Sequence, residues 1–158
     1  MNHFDFHNPT HIVFGKDRIA DLATLVPAAA KVLILVGGSS AEKTGTLAEV
    51  RQALGSRAHA TFTGIEPNPS FDTAMQAVQQ VREGGFDFLL AVGGGSVIDA
   101  AKFIAAAALF EGDAWDILRK GGTNISRALP FGTVLTLPAT GSEMNKGGVI
   151  TRRDIGAK

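Results

Sequence analysis

The sequence predicts an α/β fold: a doubly wound, mostly parallel sheet with helices on both faces. Three observations predict it. Short aliphatic runs alternate with stretches whose apolar residues recur at helical spacing. The runs are apolar at nearly every position rather than every second one, as in strands buried on both faces. The glycines cluster at the boundaries between these elements: Gly37-Gly38, Gly84-Gly85, Gly93-Gly94-Gly95, Gly121-Gly122 and Gly147-Gly148. There, a positive φ or a close approach of backbone is needed. Strand–helix alternation of this kind calls for right-handed crossovers between parallel strands.

Residues 1–15 hold Phe4, Phe6 and Ile12-Val13-Phe14 before Gly15, which reads as a short β-arm at a sheet edge. Arg18 to Val26 places Ile19, Leu22, Ala23 and Val26 at helical spacing, and Pro27 ends it. Lys31 to Val36 is the first buried strand, followed at once by Gly37-Gly38-Ser39-Ser40. Ala41 to Leu54 carries Leu47, Val50 and Leu54 on one face, with Thr44-Gly45 weakening its start. His59 to Thr63 is a second strand. Glu66-Pro67-Asn68-Pro69-Ser70 is a stiff loop, from which Ser70 or Asp72 caps a helix over Phe71 to Arg82. Gly84-Gly85 stops that helix. Phe86 to Val92 is the third strand, turning through Gly93-Gly94-Gly95-Ser96 into a helix from Val97 to about Leu109. A short helix over Trp115 to Leu118, a fourth strand over Thr133 to Leu137 and a possible fifth over Val149 to Thr151 complete the chain.

At 158 residues with 45% apolar content, the chain suits one domain, 1–158, with a sizeable core. Acidic and basic residues balance at 15 each, which leaves no cationic excess for nucleic acid. Without cysteine there are neither disulfides nor thiolate metal sites. The opening residues lack the apolar core of a secretory signal, and the apolar run Phe103 to Phe110 is far short of the ~18 residues a membrane span needs. A cytoplasmic protein is the default expectation.

Three loops carry candidate chemistry, all at strand carboxyl ends, where open parallel sheets bind ligands. In Gly93-Gly94-Gly95-Ser96-Val97-Ile98-Asp99-Ala100-Ala101-Lys102, a strand feeds glycines into a helix start whose free N–H groups and dipole favour an anion. Ser96 caps the helix or donates to phosphate. Asp99 either completes a capping box with Ser96 or serves a ligand away from the phosphates, which it would repel. Lys102 pairs with Asp99 at i+3 or is solvated. In Gly37-Gly38-Ser39-Ser40, the strand end offers hydroxyls and no carboxylate, a surface that tolerates a 2′-phosphate, with Lys43 nearby. The alternative is an ordinary loop with Ser39 or Ser40 as an N-cap. Thr136-Leu137-Pro138-Ala139-Thr140-Gly141-Ser142-Glu143-Met144-Asn145 is a polar loop that, taken alone, assigns no ligand.

Together, Gly-Gly-Gly-Ser-x-x-Asp-x-x-Lys at 93–102 and Leu-Pro-Ala-Thr-Gly-Ser-Glu at 137–143 resemble the iron-containing (group III) alcohol dehydrogenases. The nearest resemblance is to the NADP-dependent butanol dehydrogenase and broad-range aldehyde reductase branch. Asn8-Pro9-Thr10 to Phe14-Gly15-Lys16 and Glu66-Pro67-Asn68-Pro69 extend the match along the chain. The resemblance implies a Rossmann-like cofactor domain that precedes an all-helical domain. It also implies hydride transfer between NADP(H), with NAD possible, and a small alcohol or aldehyde. Carried over, Gly94, Gly95 and Ser96 would hold the diphosphate, and Asp99 would lie near the nicotinamide. Gly37, Gly38, Ser39 and Ser40 would face the adenosine ribose, Ser39 standing where NAD-preferring relatives have Asp. Thr136, Thr140 and Asn145 would line the cleft, and Lys158 would lie near the phosphates or ribose.

The family's divalent metal, iron or zinc, is held by an Asp and three His in the helical domain and polarises the reacting oxygen. Those ligands are not in this sequence. His3, His7 and His11 are spaced like helix neighbours, but Pro9 forbids that helix. The expectation is a cofactor domain with little or no turnover by itself. It would pair as a homodimer through the opening arm and expose an apolar patch. A stand-alone dinucleotide-binding module without catalysis is the alternative. A glycerol dehydrogenase or dehydroquinate synthase relative is disfavoured by the Leu-Pro-Ala-Thr-Gly-Ser-Glu loop.

Overall fold

Strand β1 (Val32–Val36) is buried at every residue and lies at the centre of the molecule. The computed structural model describes residues 3, 5 and 7–157. Four strands form one sheet in the order β2-β1-β3-β4, with β2 at His59–Phe62, β3 at Phe88–Gly94 and β4 at Phe131–Leu137. Every pairing is parallel, so the doubly wound reading holds. Val32 to Val36 stand in register with Phe88 to Val92, and a bulge between Gly93 and Gly94 shifts the register against β4.

The alternation of side chains divides the core in two. Leu33, Leu35, Leu89 and Ala91 face helices α4 (Phe71–Gly84) and α5 (Gly95–Ala108). Val32, Ile34, Val36, Leu90 and Val92 face α1 (Leu22–Leu25), α2 (Ser40–Lys43) and α3 (Thr46–Leu54). Helix α6 (Trp115–Arg119) packs on the α4–α5 side, where Phe71 meets the Trp115 ring edge-on at 5.3 Å. Each fully buried aliphatic side chain contributes roughly 1.5–3 kcal/mol.

Arginines fasten the elements to one another. Arg57 donates to the carbonyls of Ala23, Val26, Pro27 and Leu54 at 2.6–3.1 Å, satisfying the ends of α1 and α3 together. Arg82 does the same for α5, donating to Ala107, Ala108 and Phe110. Ser70 is the N-cap of α4, its Oγ accepting from Thr73 N at 3.2 Å, and Gly85 ends that helix in the left-handed conformation.

The structure corrects three expectations. The helix expected from Ala41 breaks into α2 and α3 because Gly45 adopts φ 81°. No fifth strand forms at 149–151. Val149 N instead donates to the Asp99 carboxylate, and Thr151 makes an isolated parallel bridge to Ser70. Residues 7–14 form no strand within the chain; Asn8 Nδ2 ties this segment to Met144 O at 2.8 Å. Phe4 and Phe6, also assigned to the arm, lie outside the described residues. No helix among the described residues is long and apolar enough to cross a membrane.

Candidate functional site

From β1 the chain winds through α2 and α3 on one face of the sheet; from β3 it winds through α5 on the other. The two strands are neighbours, so the loops at their carboxyl ends diverge and leave a crevice at a topological switch point. Both glycine-rich turns border it.

The glycines there differ in what requires them. A Cβ on Gly93 would come within 2.6 Å of Val97 Cγ2, and one on Gly95 would run into the side chain of Thr140. On Gly37 it would lie 3.0 Å from the carbonyl of Ile65. The chain's own packing therefore demands these three. Gly94 has φ −93°, open to any residue, and its Cβ would meet only Leu137 at 3.7 Å. Around Gly38 nothing lies within 4 Å, and its φ is not left-handed. At these two positions the fold tolerates a side chain and the sequence supplies none.

Beside Gly38 a cleft of about 400 Å³ opens between the ends of β1 and β2, lined by Gly37, Gly38, Ser39, Glu42, Leu47, Thr63 and Gly64 among others. Ser39 occupies the N-cap position of α2 without a side-chain bond to it, and Ser40 begins the helix. Both are exposed, and neither hydroxyl has a partner among the described residues. The capping role weighed for them is not taken up. A larger groove, about 520 Å³, runs along α4 between Asp72 and Glu83 and includes no residue of the strand-end turns.

The third loop folds back over α5. Asp99 Oδ1 accepts from Ser142 Oγ at 2.5 Å, and Oδ2 accepts from Val149 N at 3.1 Å. Lys102 Nζ donates to Ser142 Oγ at 2.8 Å, Asn145 Oδ1 at 3.1 Å and Gly147 O at 2.6 Å. Burial under this loop pushes the Lys102 ammonium below its ordinary pKa, against the attraction of Asp99 and Glu143. Ser142 is itself buried, bridging cation and carboxylate. Asp99 thus makes no capping box with Ser96, and the cap position of α5 falls to Gly94, without a side-chain bond. Lys102 neither pairs directly with Asp99 nor faces solvent alone; the two grip one loop from one helix face.

The sequence model of the iron-containing alcohol dehydrogenases matches residues 9–158. The chain belongs to this family. It is 54% identical over 160 residues to the NADPH-dependent aldehyde reductase YqhD of Escherichia coli, covering all of this chain and 41% of that protein. It is 48% identical over 155 residues to a probable NADH-dependent butanol dehydrogenase of Bacillus subtilis, covering 96% of this chain and 40% of the relative. The crystal structure of E. coli YqhD superposes with a TM-score of 0.95 over 98% of this chain and 40% of that one. A sulfoacetaldehyde reductase from Bifidobacterium kashiwanohense, solved with NAD+, superposes at 0.86 with 25% identity, covering 99% of this chain and 42% of its own. This family member thus spans about two-fifths of the length of the relatives it matches.

Within the family fold, the expected site residues fall into three settings. Gly94, Gly95 and Ser96 open α5 at the end of β3, and Gly37, Gly38, Ser39 and Ser40 lie at the end of β1. Thr136 and Thr140 are exposed, one next to last in β4 and the other packed on Gly95. Asn145 is committed within its loop: Nδ2 donates to Gly141 O, while Oδ1 accepts from Gly147 N and Lys102. Lys158 lies outside the described residues. Sequence reasoning passed over Glu42, Thr63 and Gly64 in the cleft, and gave Ser142 no role of its own within the 136–145 loop. Thr63-Gly64 follows a strand end and was open to the same argument as Gly37-Gly38; the partners of Ser142, Asp99 and Lys102, lie 43 and 40 residues away, where no local pattern points. Among the described residues no three His, Cys, Asp or Glu side chains come together as a metal-ligand set. The family's metal therefore does not fit the described residues.

Proposed function

We propose that this chain binds a nicotinamide dinucleotide, NADP(H) or NAD(H), as the cofactor-holding part of an alcohol dehydrogenase or aldehyde reductase. The observation that carries the reading is the pair of glycines the fold does not need. Gly38 and Gly94 keep the ends of β1 and β3 free of side chains, on either side of the switch point. A diphosphate seated there reaches the first N–H groups of α5, which have no helical acceptor. Gly94, Gly95 and Ser96 hold it, and the unpaired hydroxyls of Ser39 and Ser40 meet the adenosine ribose. Thr136 and Thr140 line the opposite wall, and Asp99, whose oxygens accept from Ser142 and Val149, lies on the nicotinamide side. When bound, the cofactor supplies or receives the hydride exchanged with a small alcohol or aldehyde. The names of the relatives support this class of reaction, two of them being an aldehyde reductase and a butanol dehydrogenase.

The chain's own part is binding and orientation, with turnover assigned to proteins of the relatives' full length. Pairing of two copies through residues 1–15 belongs to the same proposal and is supported by the exposed Ile12 and Phe14. Titration with NADPH and NADH, followed by nucleotide fluorescence, tests the binding. Saturable binding of either, without oxidation of butanol when NADP+ or NAD+ is supplied, is expected. No binding of either nucleotide sinks the reading.

A further inference from the structure

The cleft at the end of β1 contains a charge that the strand end itself lacks. Glu42, on α2, lines it beside Gly38 and Ser39. Its Oε1 lies 3.8 Å from Nη1 of Arg51 on α3. Arg51 Nη2 in turn donates to Thr61 Oγ1 on β2 at 3.4 Å, so the guanidinium ties α2 to β2. The ion pair is long, and the two side chains are 65% and 42% exposed, so neither is held in place by burial. Such a pair contributes little to stability and rearranges readily.

A dinucleotide whose adenosine ribose enters this cleft presents one of two groups. A 2′-hydroxyl donates to a carboxylate. A 2′-phosphate is repelled by a carboxylate and bound by a guanidinium, whose fork matches its oxygens. Glu42, in the lining of the cleft, suits the hydroxyl; Arg51, outside that lining but within 3.8 Å of Glu42, suits the phosphate. We propose that Glu42 and Arg51 form the specificity-determining pair for the cofactor. Glu42 favours the hydroxyl of NAD(H), and Arg51 leaves Glu42 for the phosphate of NADP(H). The pair thereby lets one cleft accept both nucleotides, and the balance between its members sets the preference that Ser39 and Ser40 leave open. This inference rests on the dinucleotide reading above. The relatives named as NADPH-dependent and NADH-dependent show that one fold serves both.

The test is a parallel titration of the 158-residue chain and of its Glu42→Gln and Arg51→Met variants with NADH and NADPH. Both positions are exposed, so both variants are expected to fold, which circular dichroism verifies. Glu42→Gln is expected to shift the affinity ratio about ten-fold toward NADPH, and Arg51→Met about ten-fold toward NADH. Both shifts are expected to shrink as ionic strength rises from about 0.05 to 0.5 M. If the unsubstituted chain binds and neither variant moves the ratio beyond about two-fold, the selector is overturned alone. If the unsubstituted chain binds neither nucleotide, the dinucleotide reading falls and the selector with it.

Discussion

At the scale of the residue, the glycines of the strand-end turns separate into those the fold requires and those it leaves for a ligand. Gly95 is required, because Thr140 packs where its side chain would be. Gly95→Ala is expected to lower stability by about 1–3 kcal/mol, read from urea unfolding. Gly94→Ala meets only an ordinary contact, so stability should stay within about 1 kcal/mol. Its affinity for NADPH or NADH should nevertheless fall about ten-fold or more, as a methyl group enters the space of the diphosphate. Unchanged affinity would show that this space serves no ligand. The triple glycine was legible in the sequence as a whole. Which of its members answers to the protein was not, since the partner of Gly95 lies 45 residues away, at Thr140.

At the scale of the element, two polar side chains decide how segments lie on helices. Lys102 holds the loop after β4 onto α5 through Ser142, Asn145 and Gly147. Lys102→Met should raise amide exchange over residues 142–149 by about ten-fold or more while β1 and β3 stay protected. Equal exchange in both proteins would show that the loop is held by its other contacts. Glu66 anchors the start of α4, its carboxylate accepting from Ser70 N at 3.3 Å and Thr73 Oγ1 at 3.2 Å. Burial alone would raise its pKa, but hydrogen bonds to the charged form from its own backbone, Ser70 and Thr73 outweigh that and lower it. A lowered carboxylate pKa stabilises the fold above the ordinary value, about 4.3. That contribution disappears as the pH falls through the folded-state value. Glu66→Gln should therefore be less stable at pH 7, by about 1 kcal/mol, and the two melting curves should converge in acid. A constant difference across that range would show that the charge plays no part. The four strands and the order of strands and helices between them were read correctly, because each buries a face its own period announces, whereas the helix from Ala41 splits at Gly45 and residues 7–14 form no strand. The possible strand at 149–151 was not borne out, because its backbone partners are Asp99 and the Pro69–Ser70 turn, which no local pattern marks.

At the scale of the whole molecule, β4 closes the described sheet with an unpaired edge, and Leu137 at its end is 66% exposed. Phe14 is 95% exposed, in a segment, 7–14, that pairs with no strand among the described residues. Apolar groups left out in this way favour association. Sedimentation at tens of micromolar is expected to show self-association, weakened by Phe14→Ser or Leu137→Ser. A single monomeric species would contradict both the arm-paired dimer and the exposed patch. The parallel α/β plan and the glycine-rich turns were legible in periodicity and contiguous glycines, and the family in the resemblance of the 93–102 and 137–143 motifs. It took the folded chain to show that Lys102 clasps a loop, that Asn145 is spent within it, and that Glu42 brings a carboxylate into a cleft whose strand end has none. The reason is physical: a helix period or a turn depends on neighbours along the chain, whereas a side chain's partner depends on which distant segment folding sets against it.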